Sequence, residues 1–179
     1  VYVALKTPEI LVERAKFTDH EDKVDADKCL ATATALFGPL LMIIVAGLDF
    51  RFKWSNLFST EIQWSGAILL IIGYAFGSWA FLENQFFSSI VRLQEDRGHY
   101  VISTGPYRLV RHPGYAGAAL GTLFFPVMMN SVWAFVPAIF TLVLSIIRTR
   151  MEDDFLLENL EGYKAYTEET RYRLFPGIW

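Results

Sequence analysis

The chain has 179 residues, 53% of them hydrophobic and 16% aromatic, with a mean hydropathy of +0.31 and a net charge of −3. One domain, 1–179, is the natural count at this length, and apolar residues gathered in blocks point to an integral membrane protein rather than a soluble domain. No basic field exists for nucleic acid, and the single cysteine, Cys29, excludes an internal disulfide and a cysteine metal cluster.

Val1 rather than Met opens the chain, as expected if a segment upstream has been removed, and Val1–Leu5 is too short for a signal peptide. Residues 1–28 are polar and mixed in charge; Pro8–Phe17 can form a short amphipathic helix on a membrane surface, and Asp19–Lys28 reads as a solvated connector. Cys29–Leu48 is a first span, twenty residues without a charge, with a kink expected at Gly38-Pro39. Asp49–Glu61 reads as a polar loop and Ile62–Leu82 as a second span. Gly66, Gly73 and Gly77 fall near one face of it, suited to close helix contact. Glu83–Pro113 is a polar re-entry. Two shorter runs, Tyr115–Met129 and Val132–Ile147, read as an antiparallel hairpin divided at Asn130-Ser131, with Gly117 and Gly121 as a second small-residue face and Pro126 and Pro137 as bends. Arg148–Glu161 keeps helical character, and Gly162 is expected to end that helix.

The expected fold is therefore all-α and polytopic, with about four transmembrane helices. Fourteen of the sixteen Lys and Arg lie in 1–28, 83–113 and 148–179; only Arg51 and Lys53 lie in the opposite connections. Four spans bring those three segments to one side, which the positive-inside rule makes cytoplasmic, and Trp54, Trp64 and Trp133 fall at the other interface.

No P-loop, Gly-x-Gly-x-x-Gly or Gly-x-Ser-x-Gly occurs, so a soluble-type nucleotide fold is not signalled. Two polar clusters remain. The first is Arg92 and Gln94–His99, running into Tyr107, Arg108, Arg111 and His112–Tyr115. It reads either as a basic interface loop or as a ligand site, with backbone N–H groups turned to a carboxylate and Tyr107 and Tyr115 flanking a ring or sulfonium. In the second reading His112, held by Pro113, points a ring nitrogen into the pocket. The second cluster is Arg148–Asp154, where Arg148 and Glu152 share a helical face as either a surface ion pair or a functional pair. Its position directly after an apolar span favours function: a carboxylate there suits an ammonium, and a guanidinium an anionic substrate. The three histidines lack a metal-site spacing.

Thr104-Gly-Pro-Tyr107, Arg111–Tyr115, Arg148 with Glu152-Asp153, Gly162–Tyr166 and Arg173–Gly177 together resemble the isoprenylcysteine carboxyl methyltransferases and their relatives, the membrane phospholipid methyltransferases, over about residues 90–179. The resemblance implies S-adenosylmethionine as methyl donor in a pocket at the cytoplasmic face. It maps cofactor contacts onto His99-Tyr100-Val101-Ile102, Tyr107, His112-Pro113-Gly114-Tyr115 and Glu152, with Glu152 on the ammonium of the cofactor. The substrate-contacting, catalytic arginine maps to Arg148. A family glutamine falls at Arg92, a departure, and the second acid of the family pair is Asp153. The implied reaction moves a methyl group to a lipophilic or lipid-like acceptor entering from the bilayer. Carboxyl O-methylation of an isoprenylcysteine-like acid comes first, with phospholipid N-methylation and thiol S-methylation as alternatives. An NADPH-dependent membrane reductase of the sterol-reductase type is the further alternative, and a scaffold without catalysis a third class.

Overall fold

The computed structural model describes residues 25–88 and 93–179, and among these all regular structure is helical. Helix α1 runs from Asp25 to Phe52 in three joined pieces: α over Asp25–Thr32, π over Ala33–Phe37, and α again over Gly38–Phe52. Helix α2 is Thr60–Glu83, α3 Pro113–Met128, α4 Phe135–Asn159 and the short α5 Tyr163–Glu169. The helix expected over Pro8–Phe17 lies outside the described residues. The connector expected over Asp19–Lys28 is already α1 from Asp25 onward.

Pro39 has no N–H to offer its preceding turn. The expected irregularity at Gly38-Pro39 takes the form of the π turn just upstream, with the N–H of Gly38 donating to the Ala33 carbonyl five residues back. The loop expected over Asp49–Glu61 is shorter than its polar sequence implied. Asp49 is buried at the end of α1, where its carboxylate accepts hydrogen bonds from Ser55 N at 2.7 Å, Ser55 Oγ at 2.5 Å and Ser131 Oγ at 2.6 Å. With that charge satisfied, α1 continues to Phe52 and stops at Lys53, which is left-handed at φ 55°. The neighbouring connection joins the same knot: Asn130 accepts from Phe58 N and donates to Asn56, and Trp54 packs edge-on against Trp133.

Small residues line the interior and large apolar ones face outward. Ala46, Ala80, Ala116 and Ala138 are buried, whereas Ile43, Ile44, Ile71, Ile72, Ile139 and Phe140 are exposed. That inversion suits a lipid solvent, in which close backbone approach replaces burial of large side chains as the packing device. Two helical stretches, Cys29–Phe52 and Thr60–Glu83, are long and apolar enough to cross a bilayer.

The two small-residue faces meet each other. A Cβ on Gly117 would stand 2.5 Å from Gly73 O and 2.6 Å from Gly77 N, and one on Gly73 would stand 2.8 Å from Gly117 O. Neither helix backbone can give way locally, so Gly117→Ala is expected to force α2 and α3 apart, at about 1–3 kcal/mol for overpacking. Thermal unfolding in detergent should drop by several degrees, whereas Gly47→Ala, with nothing within 4 Å of the added carbon, should not move it.

The hairpin of the third and fourth runs is present as α3 and α4, joined through 129–134. Helix α4 does not stop where its apolar run ends but carries on as one rod through Arg148 to Asn159. Gly162 does not end it: the helix gives way two residues earlier at Leu160, and Gly162, left-handed at φ 82°, leads instead into α5. Pro137 stands in the first turn of α4, where a missing N–H does no harm, so it introduces no bend.

Candidate active site

The continuous rod of α4 is what delivers the second polar cluster to the first. Glu152 and Asp153 lie about five turns beyond the start of α4, at the end where α3 begins and the re-entry loops pack. The loop before α3 is shaped by a 3-10 turn, Gly105–Arg108, whose Gly105 is left-handed at φ 56°. A Cβ at Gly105 would meet the Glu83 carboxylate at 2.8 Å, and Thr104 Oγ1 donates to the same group at 2.6 Å. Pro113 then opens α3 in its first turn, which leaves His112 at the helix entrance.

Asp153 is the centre of the assembly and is fully buried. The Arg111 guanidinium grips it with two bonds, Nε at 2.8 Å and Nη2 at 2.9 Å. Arg173 Nε adds a third at 2.7 Å, Tyr163 OH a fourth at 2.9 Å, and His112 Nε2 lies 3.0 Å away. Burial opposes the charge on Asp153. The hydrogen bonds from His112 and Arg111, the charge of His112 and the bond from Arg173 outweigh it and hold the carboxyl well below the usual carboxylate range. Arg111 Nη1 also donates to the carbonyls of Thr170 and Arg171. One carboxylate therefore fastens the α3 entrance, α4, α5 and the C-terminal tail together.

Glu152 plays a different part. Its carboxylate is partly open, accepts from Tyr115 OH at 2.8 Å and faces His112 Nδ1 at 3.9 Å. The Arg148 guanidinium lies over the Tyr115 ring, 5.7 Å from its centre. Arg148 and Glu152 share a helical face as expected, and both gather on Tyr115, the acid through the hydroxyl and the cation over the ring face.

These groups open on a cavity of about 570 Å³, within the size range of small-molecule sites. Of the residues singled out from the sequence, His99, Tyr100, Val101, Ile102, Tyr107, His112, Gly114, Tyr115, Arg148 and Glu152 all line it. Pro113 is buried just behind the lining, and Arg92 lies outside the described residues. The two polar clusters thus meet around one space.

The bonds of this loop and of Tyr107 are made within the protein. The backbone N–H groups of Arg111 and His112 donate to Tyr172 O and Arg173 O, both at 2.9 Å, so these two are taken up by the C-terminal tail. His112 turns Nε2 to Asp153, and its Nδ1 faces Glu152 on the lining of the cavity. Tyr107 is tied down at both ends, its hydroxyl bonded by Asn84 Nδ2 at 3.1 Å and its carbonyl by Tyr166 OH at 2.6 Å. Burial pushes the Tyr107, Tyr163 and Tyr166 phenols up, so all three stay neutral donors.

Asp153, Arg111, Arg173, Tyr163 and Tyr166 had no assigned task from the sequence. Tyr163 and Tyr166 were legible only as part of a resembling segment. No local signal says that Asp153, adjacent to Glu152, points into protein while Glu152 points into the cavity; the 100° step between successive helical residues decides it.

Residues 62–162 match the phospholipid methyltransferase family, over half of the chain. The chain belongs to the phospholipid methyltransferase family. A protein-S-isoprenylcysteine O-methyltransferase of Dictyostelium discoideum is 25% identical over 174 residues, covering 89% of this chain and 68% of that protein. Probable protein-S-isoprenylcysteine O-methyltransferases of Oryza sativa subsp. indica and subsp. japonica are each 32% identical over 84 residues, 46% of this chain and 43% of theirs. The chain thus spans about two thirds of the Dictyostelium relative and under half of the rice ones. Family membership makes it a methyltransferase, and the matched residues include every cavity-lining group on α3 and α4 named above.

Proposed function

We propose that this chain transfers the methyl group of S-adenosylmethionine to a lipophilic carboxylic acid of the isoprenylcysteine kind, at the cytoplasmic face of a membrane crossed by four helices. The observation that carries the reading is the cavity on which Glu152, His112, Tyr115 and Arg148 converge, polar at that end and walled by Val101, Ile102 and the apolar helices elsewhere. The donor set suits the cofactor. A half-open carboxylate, Glu152, is available for an ammonium, and the Tyr100, Val101 and Ile102 stretch offers an aromatic and apolar surface for a purine. The outward apolar faces of α1, α2 and α4, and the gathering of basic residues at the cavity end, support the four-helix crossing and its direction.

The bound cofactor supplies a methyl group already activated on sulfonium, so the protein has no electrophile to generate. Glu152 holds the amino-acid end of the donor, fixed in direction by Tyr115 OH. Arg148, laid over the Tyr115 ring, orients the acceptor carboxylate within reach of the same space. A carboxylate nucleophile needs no general base. Catalysis is then positioning for in-line transfer and exclusion of water by the packed loops.

Titration decides the class of reaction: S-adenosylhomocysteine is expected to bind the purified protein, and NADPH is not. Transfer of labelled methyl from S-adenosylmethionine is expected to an S-prenyl cysteine acid and not to phosphatidylethanolamine. NADPH binding without S-adenosylhomocysteine binding refutes the proposal, and label appearing only in the amine lipid moves the acceptor from carboxylate to amine.

A further inference from the structure

Carboxyl transfer leaves one titratable pair at the cavity wall without a task. His112 and Asp153 form an acid–imidazole dyad at 3.0 Å, and a carboxylate acceptor has no proton for it to take. Asp153 is bound by Arg111, Arg173 and Tyr163, so the acid of the dyad cannot turn. Its ionised oxygens only accept, and the Tyr163 hydroxyl, 3.4 Å from the same ring nitrogen, gives its proton to Asp153. In the neutral ring Nε2 therefore carries the hydrogen and Nδ1 keeps its lone pair. Nδ1 faces Glu152 where the ring joins the cavity lining, although only 4% of the side chain is exposed. A strut that merely tied α3 to α4 would use Nε2 alone.

The surroundings also provide for the ring once it has gained a proton. Asp153 at 3.0 Å and Glu152 at 3.9 Å then flank the imidazolium, one at each nitrogen. The neighbouring cations are otherwise engaged: Arg111 and Arg173 share Asp153, and Arg148 lies over Tyr115, whose ring centre is 6.0 Å from that of His112. We propose that the same site also methylates lipophilic thiols, with His112 as the general base. The inference rests on the methyl-transfer reading for its donor. The S–H bond breaks as its proton passes to Nδ1, and the sulfur pair forms the new bond to the methyl carbon. The old carbon–sulfonium bond breaks with its pair left on the donor sulfur, and His112 afterwards releases the proton to water. Arg148 favours a thiol over an amine, because it attracts the negative charge that builds on sulfur and repels an ammonium.

The test pairs two thiols of similar size: phenylmethanethiol, protonated at neutral pH, and 4-nitrobenzenethiol, already ionised there. Wild type is expected to move labelled methyl to both. His112→Gln keeps a donor for Asp153 and removes the basic nitrogen. Its rate on phenylmethanethiol relative to 4-nitrobenzenethiol should fall about a hundredfold, and recover as rising pH ionises the first thiol. A part played only in structure or in cofactor binding lowers both rates alike. A second readout needs no turnover. In protein loaded with S-adenosylhomocysteine, the infrared S–H band of bound phenylmethanethiol should be displaced from its position in lipid, and His112→Gln should return it. Binding of S-adenosylhomocysteine checks that a variant is folded, and His112→Asn replaces the glutamine variant should that one fail. An S–H band at its lipid position in wild type, a rate ratio that a folded variant does not change, or transfer to an S-prenyl cysteine acid with none to either thiol overturns the inference. Transfer to thiols with none to the cysteine acid refutes the carboxylate acceptor and leaves the base standing. No binding of S-adenosylhomocysteine to wild type refutes the methyl-transfer reading and this inference with it.

Discussion

Replacing Glu152 with alanine is expected to weaken S-adenosylhomocysteine binding by at least about thirtyfold. The carboxylate faces the cavity with 28% of its side chain exposed, enough to receive a ligand and little enough to be poorly screened. Truncating one member of a largely desolvated, hydrogen-bonded charge pair costs about 2–5 kcal/mol, and the lower end corresponds to that factor. Glu152→Gln separates the two tasks of the side chain. The amide oxygen can still accept from Tyr115 OH, so local geometry survives while the charge is lost. The glutamine variant should therefore bind nearly as poorly as alanine, yet unfold at the wild-type temperature. Calorimetry showing wild-type affinity in Glu152→Ala removes the acid from the cofactor site.

The second large effect belongs to Asp153 and is one of stability. Asp153→Asn withdraws the charge that Arg111, Arg173 and His112 surround and leaves two guanidinium groups facing a neutral amide. Breaking a buried pair from one side costs about 3–5 kcal/mol. At about 2–4 °C per kcal/mol for a chain of this size, the unfolding temperature should fall by roughly 6–20 °C. The pH dependence follows from the lowered carboxyl. A carboxyl whose folded value lies below its unfolded value of ~3.9 contributes its full stabilisation above that unfolded value and loses it as pH falls through the folded one. The gap between wild type and Asp153→Asn should thus be constant between about pH 7 and 5 and narrow below about pH 4. A gap that stays the same down to pH 3 assigns the cost to shape rather than charge. Since Asp153 fastens the tail and α5 to the α3 entrance, protection of amides in 170–179 from exchange should be lost first.

Glu152 and Asp153 are neighbours in sequence and opposites in task. Both were visible as acids at the end of an apolar run, and a resemblance to known methyltransferases assigned a role to Glu152. Only packing separates them, since successive residues on a helix point about 100° apart and the tail closes over one of them. The same holds for the loop at 105–112. Its prolines announced irregular backbone, but the partners of its N–H groups come from 172–173, sixty residues on, and no local pattern specifies them.

Local composition was sufficient for helix content, for the first two apolar helices and for the glycine faces, because helix formation, lipid burial and close approach each depend on residues within a few turns. Of the four spans the sequence by itself led one to expect, two lie in helices long and apolar enough to cross a bilayer; it also determined the helical character of the described residues and which polar residues stand apart from the apolar background. The tertiary structure decided that α4 runs on unbroken to bring its acids under the α3 entrance, and that Asp153 faces inward and Glu152 the cavity. It also decided that Gly38 of α1 packs directly against Thr141 of α4. Those outcomes depend on pairings between segments tens of residues apart, whose energies come from mutual burial and shared hydrogen bonds that neither segment holds alone.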